Sequence, residues 1–526
     1  MSRERPEGAS ADGGASTASV GLAYKSAAGR WLLAVSVLGS GMAFLDGSVV
    51  NVALPDLGRD LDASTASLQW VLNGYALTLA SLILLGGSLG DLYGRRRIFV
   101  MGVWIFTAAS LLCAIAPSSG FLIVARLIQG VGGALLTPGS LAMIEATFQP
   151  ADRARAIGAW SGLTGVASAL GPLLGGYLVD AVSWRAVFLI NLPVGVFVSV
   201  AAGRHIPETH DPEARGPIDL LGAGLGAIGL AGTTYALIEG PGGNPTLVWL
   251  AGAGGVAALV AFVVVERRSS NPMLPLGIFA SREFSAANLV TFAVYGALGG
   301  FFFLFVSFLQ ISMGYSPIQA GAATLPVTAL MLVLSARTGA LAQRIGPRLP
   351  LTIGPLVIAA GLLLMTRIEP GDSYASSVLP AVVVFASGLT LVVAPVTATV
   401  LAAADSRHAG IASGVNNAVA RVASLLAVAV LPLIAGLTGD SFYDPASMTD
   451  GFGVAMVACA GLAAAGGVLA WFTISNDVLK AEPEAGGSAP TQVLHDVSCG
   501  APGPLLRPGR EAQCHAAGAQ SVSRPA

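Results

Sequence analysis

The sequence predicts an all-α polytopic membrane protein with 14 transmembrane helices. Three observations predict it. Of 526 residues, 54% are hydrophobic and only 11% charged, where a soluble chain carries about 25% charged residues. The mean hydropathy is +0.74. Fourteen apolar runs reach the length of about 20 residues that a helix needs to cross the bilayer. They are too long and too little alternating for barrel strands.

The runs lie at 31–54, 68–90, 98–116, 121–145, 155–179, 186–203, 219–238, 247–265, 286–310, 317–341, 349–367, 377–401, 409–437 and 451–473. Residues 1–29 are polar and rich in Gly, Ala and Ser. They lack the compact apolar core and cleavage site of a secretory signal, so they read as a disordered cytoplasmic tail before a retained first helix. With that tail inside, the short inner connectors hold Arg95, Arg96, Arg97, Arg153, Arg155, Arg204, Arg215, Arg267, Arg268, Arg282, Arg344, Arg348 and Arg407. The outer connectors hold Arg59, Arg185 and Arg367, and are acidic at Asp56, Asp60, Asp62, Asp372, Asp440, Asp444 and Asp450. The asymmetry obeys the positive-inside rule, and an even number of spans puts both termini in the cytoplasm.

An internal repeat divides the chain. Gly87-Ser88-Leu89-Gly90-Asp91-Leu92-Tyr93-Gly94-Arg95-Arg96 joins spans 2 and 3. Gly339-Ala340-Leu341-Ala342-Gln343-Arg344-Ile345-Gly346-Pro347-Arg348 joins spans 10 and 11, at an offset of 339 − 87 = 252 residues. Both follow G-x-L-small-x-x-x-G-x-R. The copies fit a 6 + 2 + 6 architecture of two pseudo-symmetric six-helix bundles around a central cavity, an arrangement that alternating-access carriers use. The expected divisions are the tail 1–29, a bundle at 30–204, two central helices with their connectors at 205–284, a second bundle at 285–474, and a Gly-, Ala- and Pro-rich disordered tail at 475–526.

Several chemistries are excluded. The two lysines, Lys25 and Lys480, do not follow glycines, so no phosphate-cradling G-K-[ST] loop exists and ATP is not the direct energy source. The five histidines fall in connectors or the tail, and four cysteines are scattered, so no metal site, haem or other cofactor is expected. A net charge of −2 with no basic face gives no reason to expect nucleic acid. No nucleophile site marks an enzyme.

Asp46 stands out inside the first span. A carboxylate at bilayer depth costs about 2.5–3.5 kcal/mol on insertion scales and is retained where it carries a proton or faces a charge. The bland alternative is an acid near enough to the outer surface to reach water. Arg126, in the fourth span, could share a layer of the outer half with Asp46. A guanidinium close by favours the carboxylate, whereas desolvation disfavours it. A site whose burial changes with conformation would thus change its proton affinity. Arg126 could instead snorkel outward.

In the loop between spans 2 and 3, Gly87 and Gly94 permit tight backbone geometry, and Asp91 and Arg95 offer charge partners. The alternative is a basic loop that only sets topology. In span 5, Gly158-x-x-x-Gly162 and Gly171-Pro172-x-x-Gly175-Gly176 permit close helix contact. The amides and aromatics Phe44, Asn51, Asn73, Tyr75, Gln129, Tyr295, Gln310, Asn416 and Asn417 are the candidates for a substrate site. Span 13 carries Arg421 but no acid.

Four motifs resemble one family. Leu45-Asp46-Gly47-Ser48-Val49-Val50-Asn51-Val52-Ala53-Leu54-Pro55, the Gly87–Arg97 loop, Arg126-Leu127-Ile128-Gln129-Gly130-Val131-Gly132-Gly133, and Gly165 through Gly171-Pro172-Leu173-Leu174-Gly175-Gly176 occur in order on spans 1, 2–3, 4 and 5. Together they resemble the major facilitator superfamily, and within it the fourteen-helix drug:proton antiporters. Trp184-Arg185-Ala186-Val187-Phe188-Leu189-Ile190-Asn191-Leu192-Pro193 is similar to a segment typical of that group. The resemblance spans about Trp31 to Thr473. It implies export of small amphipathic compounds in exchange for protons, with Asp46 and Arg126 in proton coupling. It implies a latch at Asp91 that joins the halves when the carrier faces outward, and a span 5 (Gly165, Gly171, Pro172, Gly175, Gly176) that seals the cytoplasmic side and favours antiport. It also implies a monomer in a bacterial cytoplasmic membrane. A nutrient importer, by symport or facilitation, and a non-transporting sensor are the rival readings.

Overall fold

The structure, a computed structural model, describes residues 21–210, 218–240, 242–269, 272–404 and 409–479. The described residues form sixteen α-helices: α1 (Ala27–Asp60), α2 (Thr65–Tyr93), α3 (Arg95–Ala114), α4 (Ser119–Thr147), α5 (Pro150–Ala181), α6 (Ala186–Leu189), α7 (Asn191–His205), α8 (Leu220–Glu239), α9 (Pro245–Arg268), α10 (Arg282–Ile311), α11 (Pro317–Ala323), α12 (Leu325–Ile345), α13 (Arg348–Met365), α14 (Leu379–Ala402), α15 (Ala409–Ile434) and α16 (Pro445–Thr473). Two spans are interrupted, α6–α7 at Ile190 and α11–α12 at Thr324, so the helices make fourteen spans long and apolar enough to cross a membrane. Among the described residues the extended structure is a single bridge between Leu22 and Phe148.

Polar residues at the connectors start the helices. Ser26, Ser64, Ser118, Asp219, Asn244, Ser281 and Asp444 each accept a hydrogen bond from a first-turn amide. Ser316 and Gln319 form a reciprocal capping box at α11. Each supplies an acceptor for an amide that has no partner within its helix.

The first helix is longer than its apolar run. It starts at Ala27 because Ser26 caps it, and it continues through Pro55 to Asp60. The segment before it is anchored: Leu22 exchanges backbone hydrogen bonds with Thr147 and Gln149 (2.8 and 3.1 Å), and the Tyr24 amide donates to Asp152 (2.8 Å). Of the expected N-terminal tail, residues 1–20 lie outside the described residues, as do Arg215, Arg407 and the C-terminal tail from Lys480.

Helices α1–α7 pack on one another, with α4 against α2 and α3, and α5 against α1. Helices α10–α16 form a second group, with α10 against α15 and α16, and α13 against α14 and α16. Helix α8 touches both groups through α2 and α15, and α9 packs on α8. The α8–α9 seam is built from glycine: a Cβ on Gly232 would lie 2.5 Å from the Ala251 carbonyl oxygen, and one on Gly255 2.6 Å from the Thr233 nitrogen. Small residues at such spacing bring two backbones together. Trp70 Nε1 donates to Glu239 Oε1 (3.1 Å), which ties α2 to α8.

The sequence repeat has a structural counterpart. Gly94 and Gly346, 346 − 94 = 252 residues apart, both take positive φ, +109° and +87°. Two residues later, the amide of Arg96 donates to Glu208 Oε1 (2.9 Å) and that of Arg348 to Asn476 Oδ1 (3.2 Å). The arginine side chains reach the carbonyls of Ile206 (2.8 Å) and Ile474 (2.9 Å). Each group of helices thus pins the loop after its second span to the segment after its last span. A Cβ at Gly94 or Gly346 would also sit 2.7 or 2.4 Å from the pinning side chain. Gly94→Ala and Gly346→Ala are each expected to cost about 1–3 kcal/mol through the forced φ. That would be measured as a lower melting temperature in detergent, whereas Gly254→Ala, which meets open space, leaves it unchanged.

Candidate functional site

Asp46 and Arg126 meet. Both are fully buried, and Arg126 Nη1 donates to Asp46 Oδ2. The second carboxylate oxygen accepts from Gln129 Nε2 (2.8 Å) and Asn191 Nδ2 (3.2 Å). The guanidinium is held by the Val71 carbonyl through Nε (3.0 Å) and by Gln129 Oε1 through Nη1 (2.7 Å). Its Cζ lies 4.4 Å from the centre of the Tyr75 ring. Ser110 Oγ accepts from both amides, Gln129 (2.9 Å) and Asn191 (3.3 Å). Arg126 and Gln129 sit one turn apart on α4, so both side chains face the same way. The extension of α1 places Asp46 60 − 46 = 14 residues from the helix end, about 21 Å along the axis, deeper than its apolar run indicates.

Every partner of Asp46 is a donor. These donors take three of the carboxylate's roughly four lone-pair sites. A buried ion pair of this kind adds little net stability, but removing one partner strands a charge.

Asn191 and Ser110 were not legible as site residues. Asn191 is the first residue of α7, set by the break at Ile190; its signals were an amide within an apolar run and its place in the Trp184–Pro193 segment.

The hydrogen bonds that join the two helix groups gather at the end carrying Asp60 and Asp180. Gln69 Nε2 donates to the Val428 carbonyl (2.8 Å), Gln310 Nε2 to that of Val52 (2.9 Å), Thr65 Oγ1 to that of Gly439 (2.9 Å), and the Tyr443 hydroxyl to that of Ala63 (2.8 Å). Asp180 accepts from Ser316 Oγ (3.1 Å) and the Ile318 amide (3.0 Å) at the N-terminus of α11. Helix α5 seals this end. A Cβ on Gly176 would lie 2.5 Å from the Pro317 carbonyl oxygen, and one on Gly321 2.1 Å from that of Pro172. Gly171 and Gly175 instead dock on α1, at Ser48 and Val49. Toward the arginine-rich end of α5, a Cβ on Gly158, Gly162 or Gly165 would meet nothing within 4 Å. The expected seal on the arginine-rich side is thus not what the Gly171–Gly176 stretch makes here. It closes the opposite end, because that half of α5 is the part in contact with α11.

At the arginine-rich end, Asp91 pairs within its own loop with Arg95 (2.8 Å). Gly87 comes within ordinary contact of Pro138. The substrate candidates scatter. Tyr75 is buried, its hydroxyl donating to the Ala43 carbonyl (3.1 Å), and Asn73 is buried as well. Gln129 belongs to the ion-pair cluster and Gln310 to the closed seam. Asn416 ties α15 to α10 through Asn288 (3.2 Å) and Thr291 (2.8 Å). Asn51 donates to its own helix at Gly47 (3.1 Å). Ser424 Oγ bonds the carbonyl of Tyr295 (3.0 Å). Phe44 and Asn417 converge on Arg421: the Phe44 ring centre lies 5.8 Å from its Cζ, and Asn417 accepts from its Nε (3.1 Å).

Fourteen spans, a repeated pair of clamped loops and a buried charged cluster define a multi-pass membrane carrier rather than an enzyme. The Major Facilitator Superfamily model matches residues 36–428. The multidrug resistance protein Stp of Mycobacterium tuberculosis (strain CDC 1551 / Oshkosh) is 37% identical over 401 residues, 75% of this chain and 73% of that protein. The puromycin resistance protein pur8 of Streptomyces alboniger is 36% identical over 476 residues, 88% and 94% of the two chains. A bacterial homolog of the human lysosomal transporter Spinster, solved in an inward-facing and unoccupied conformation, superposes with a TM-score of 0.63 at 19% identity, covering 86% of this chain and 98% of that one. This chain belongs to the major facilitator superfamily.

Two substitutions test the geometry. Arg126→Ala strands the Asp46 carboxylate and is expected to cost about 3–5 kcal/mol, whereas Asp46→Asn with Arg126→Gln recovers most of it; thermal unfolding in detergent measures both. Gly176→Leu cannot fit against the Pro317 backbone. In a cysteine-free background, a Val52→Cys reporter, buried at that seam, is expected to gain labelling several-fold in the Gly176→Leu protein and not in Gly158→Ala.

Proposed function

We propose that the protein is a proton-driven exporter of small amphipathic compounds working by alternating access. The observation that carries this reading is the buried Asp46, paired with Arg126 inside a shell of donors at a depth where a carboxylate is kept to carry a proton or face a charge. The family and the names of the relatives, resistance proteins for puromycin and for multiple drugs, support the direction and the class of cargo.

The arginine-rich end is proposed to face the cytoplasm, with both termini on that side of a bacterial inner membrane. The closed Asp180 end is then external, and the described state offers its interior to the cytoplasm. In this state Asp46 is paired with Arg126, the arrangement this reading assigns to the step after a proton has left inward and before cargo is exported. We assign the 6 + 2 + 6 division, a monomeric unit and the outward-state latch at Asp91 to the same reading. In the described state Asp91 pairs with Arg95.

Uptake into inverted membrane vesicles tests it. Wild-type vesicles with an acidic interior are expected to accumulate an amphipathic fluorescent dye, and an ionophore to abolish this with ATP still present. Asp46→Asn is expected to insert normally and lose at least about 90% of gradient-driven uptake, since Asn keeps the shape but cannot exchange a proton. Uphill transport by Asp46→Asn at the wild-type rate, or flux in the reverse direction only, would sink the reading.

A further inference from the structure

We propose that Arg421 is the recognition point for an anionic group on the cargo, so that the substrates include amphipathic aromatic anions. The inference rests on the export reading above and specifies its substrate class.

Arg421 lies at mid-depth. It is 421 − 409 = 12 residues from the start of α15 and 434 − 421 = 13 from its end, about 18–20 Å from either along the axis. An arginine side chain cannot snorkel that far. A cation held at such depth costs about 2.5–3.5 kcal/mol on insertion scales and is normally offset by an acid. Arg126 has Asp46. Arg421 has no ion pair among the described residues. Its single hydrogen bond uses Nε, toward Asn417 Oδ1 (3.1 Å). The titratable groups that face its charge are the hydroxyls of Tyr75 and Tyr295, not carboxylates. Glu283 sits in the first turn of α10 and accepts from the Ser475 amide (3.1 Å), and Asp450 lies 450 − 445 = 5 residues from the start of α16, far from mid-depth.

Four of the five guanidinium N–H donors thus have no acceptor among the described residues. They belong to a partly exposed side chain at the seam between the helix groups: Phe44 of α1 and Tyr75 of α2 approach from one group, Tyr295 of α10 from the other. A ligand that brings a carboxylate, sulfonate or phenolate to the two Nη atoms and a flat apolar body to Phe44 satisfies both the charge and the ring. Charge-assisted, two-pronged contacts are the strong ones for arginine. Export of a monoanion against an entering proton also moves charge in the direction that an inside-negative potential favours. A monocation exchanged for one proton gains nothing from that potential.

Binding of two related dyes to the purified full-length protein tests the proposal. 1-Anilinonaphthalene-8-sulfonate carries a sulfonate, and N-phenyl-1-naphthylamine has the same ring system without it. Arg421→Gln is expected to weaken binding of the sulfonate dye by at least about tenfold and to change that of the neutral dye less than twofold. Arg421→Lys, which keeps the charge but loses the fork, is expected to fall between. Retained neutral-dye binding is the internal check on folding. Equal loss of both dyes in Arg421→Gln and Arg421→Lys, unchanged sulfonate binding in Arg421→Gln, or a wild type that binds the neutral dye alone would each overturn the proposal. The two readings fail separately. Dye binding needs no gradient, so selective sulfonate binding without proton-driven uptake would remove the export reading alone. Gradient-driven uptake of the neutral dye without sulfonate binding would remove this inference alone.

Discussion

The buried pair of Asp46 and Arg126 constrains the whole N-terminal bundle. Five helices converge to satisfy it. Helix α1 brings the acid, α4 brings Arg126 and Gln129, α7 brings Asn191 and α3 brings Ser110. Helix α2 contributes the Val71 carbonyl and the Tyr75 ring. In an apolar solvent each of these groups is expensive without the others. The break between α6 and α7 at Ile190 makes sense in this light, because it sets Asn191 at the start of a helix and turns its amide onto the acid.

Much of the fold was legible because the bilayer imposes a length and a polarity on every span. The fourteen spans, the repeat and the meeting of Asp46 with Arg126 follow from apolar runs and from two charges that had no other cheap partner. What the sequence hid depends on close backbone approach. Nothing in Gly171-Pro172-Leu173-Leu174-Gly175-Gly176 says which glycine touches which helix. The structure gives Gly171 and Gly175 to α1 and Gly176 to α11, a division that is a matter of rotation about one axis. Ends of helices were equally hidden. Ser26 and the pairing of Leu22 with the Thr147–Gln149 backbone lengthen α1 beyond its apolar run. Amides read as substrate ligands, Gln129 and Gln310, proved to be bonded within the protein, since a buried amide finds a partner wherever packing supplies one.

The two bundles share a scaffold and differ in their chemistry. Both clamp the loop after their second span in the same manner, through a positive-φ glycine and an arginine two residues on. That shared clamp is what a repeat preserves when side chains in the interior diverge. One interior holds a cation with its counter-ion and three hydrogen bonds to the guanidinium. The other holds a cation with a single hydrogen bond.

Helix α1 links the two interiors. Successive residues on a helix are about 100° apart, so Phe44 and Asp46 point to nearly opposite sides of it. Asp46 faces Arg126 within its own bundle, and Phe44 faces Arg421 across the seam. Ser48, one turn beyond Phe44, is bonded to the Ser168 carbonyl of α5 (3.0 Å), and Val52, one turn further, accepts from Gln310 of α10. One face of α1 therefore answers to the ion pair, while the other touches α5 and the second bundle. A displacement of α1 large enough to separate Asp46 from Arg126 must shift Phe44 against Arg421 and strain the Val52–Gln310 bond that helps to close the far end. The ion pair, the surroundings of Arg421 and the closed seam are thereby tied to one helix, which is the coupling that the proposed exchange requires.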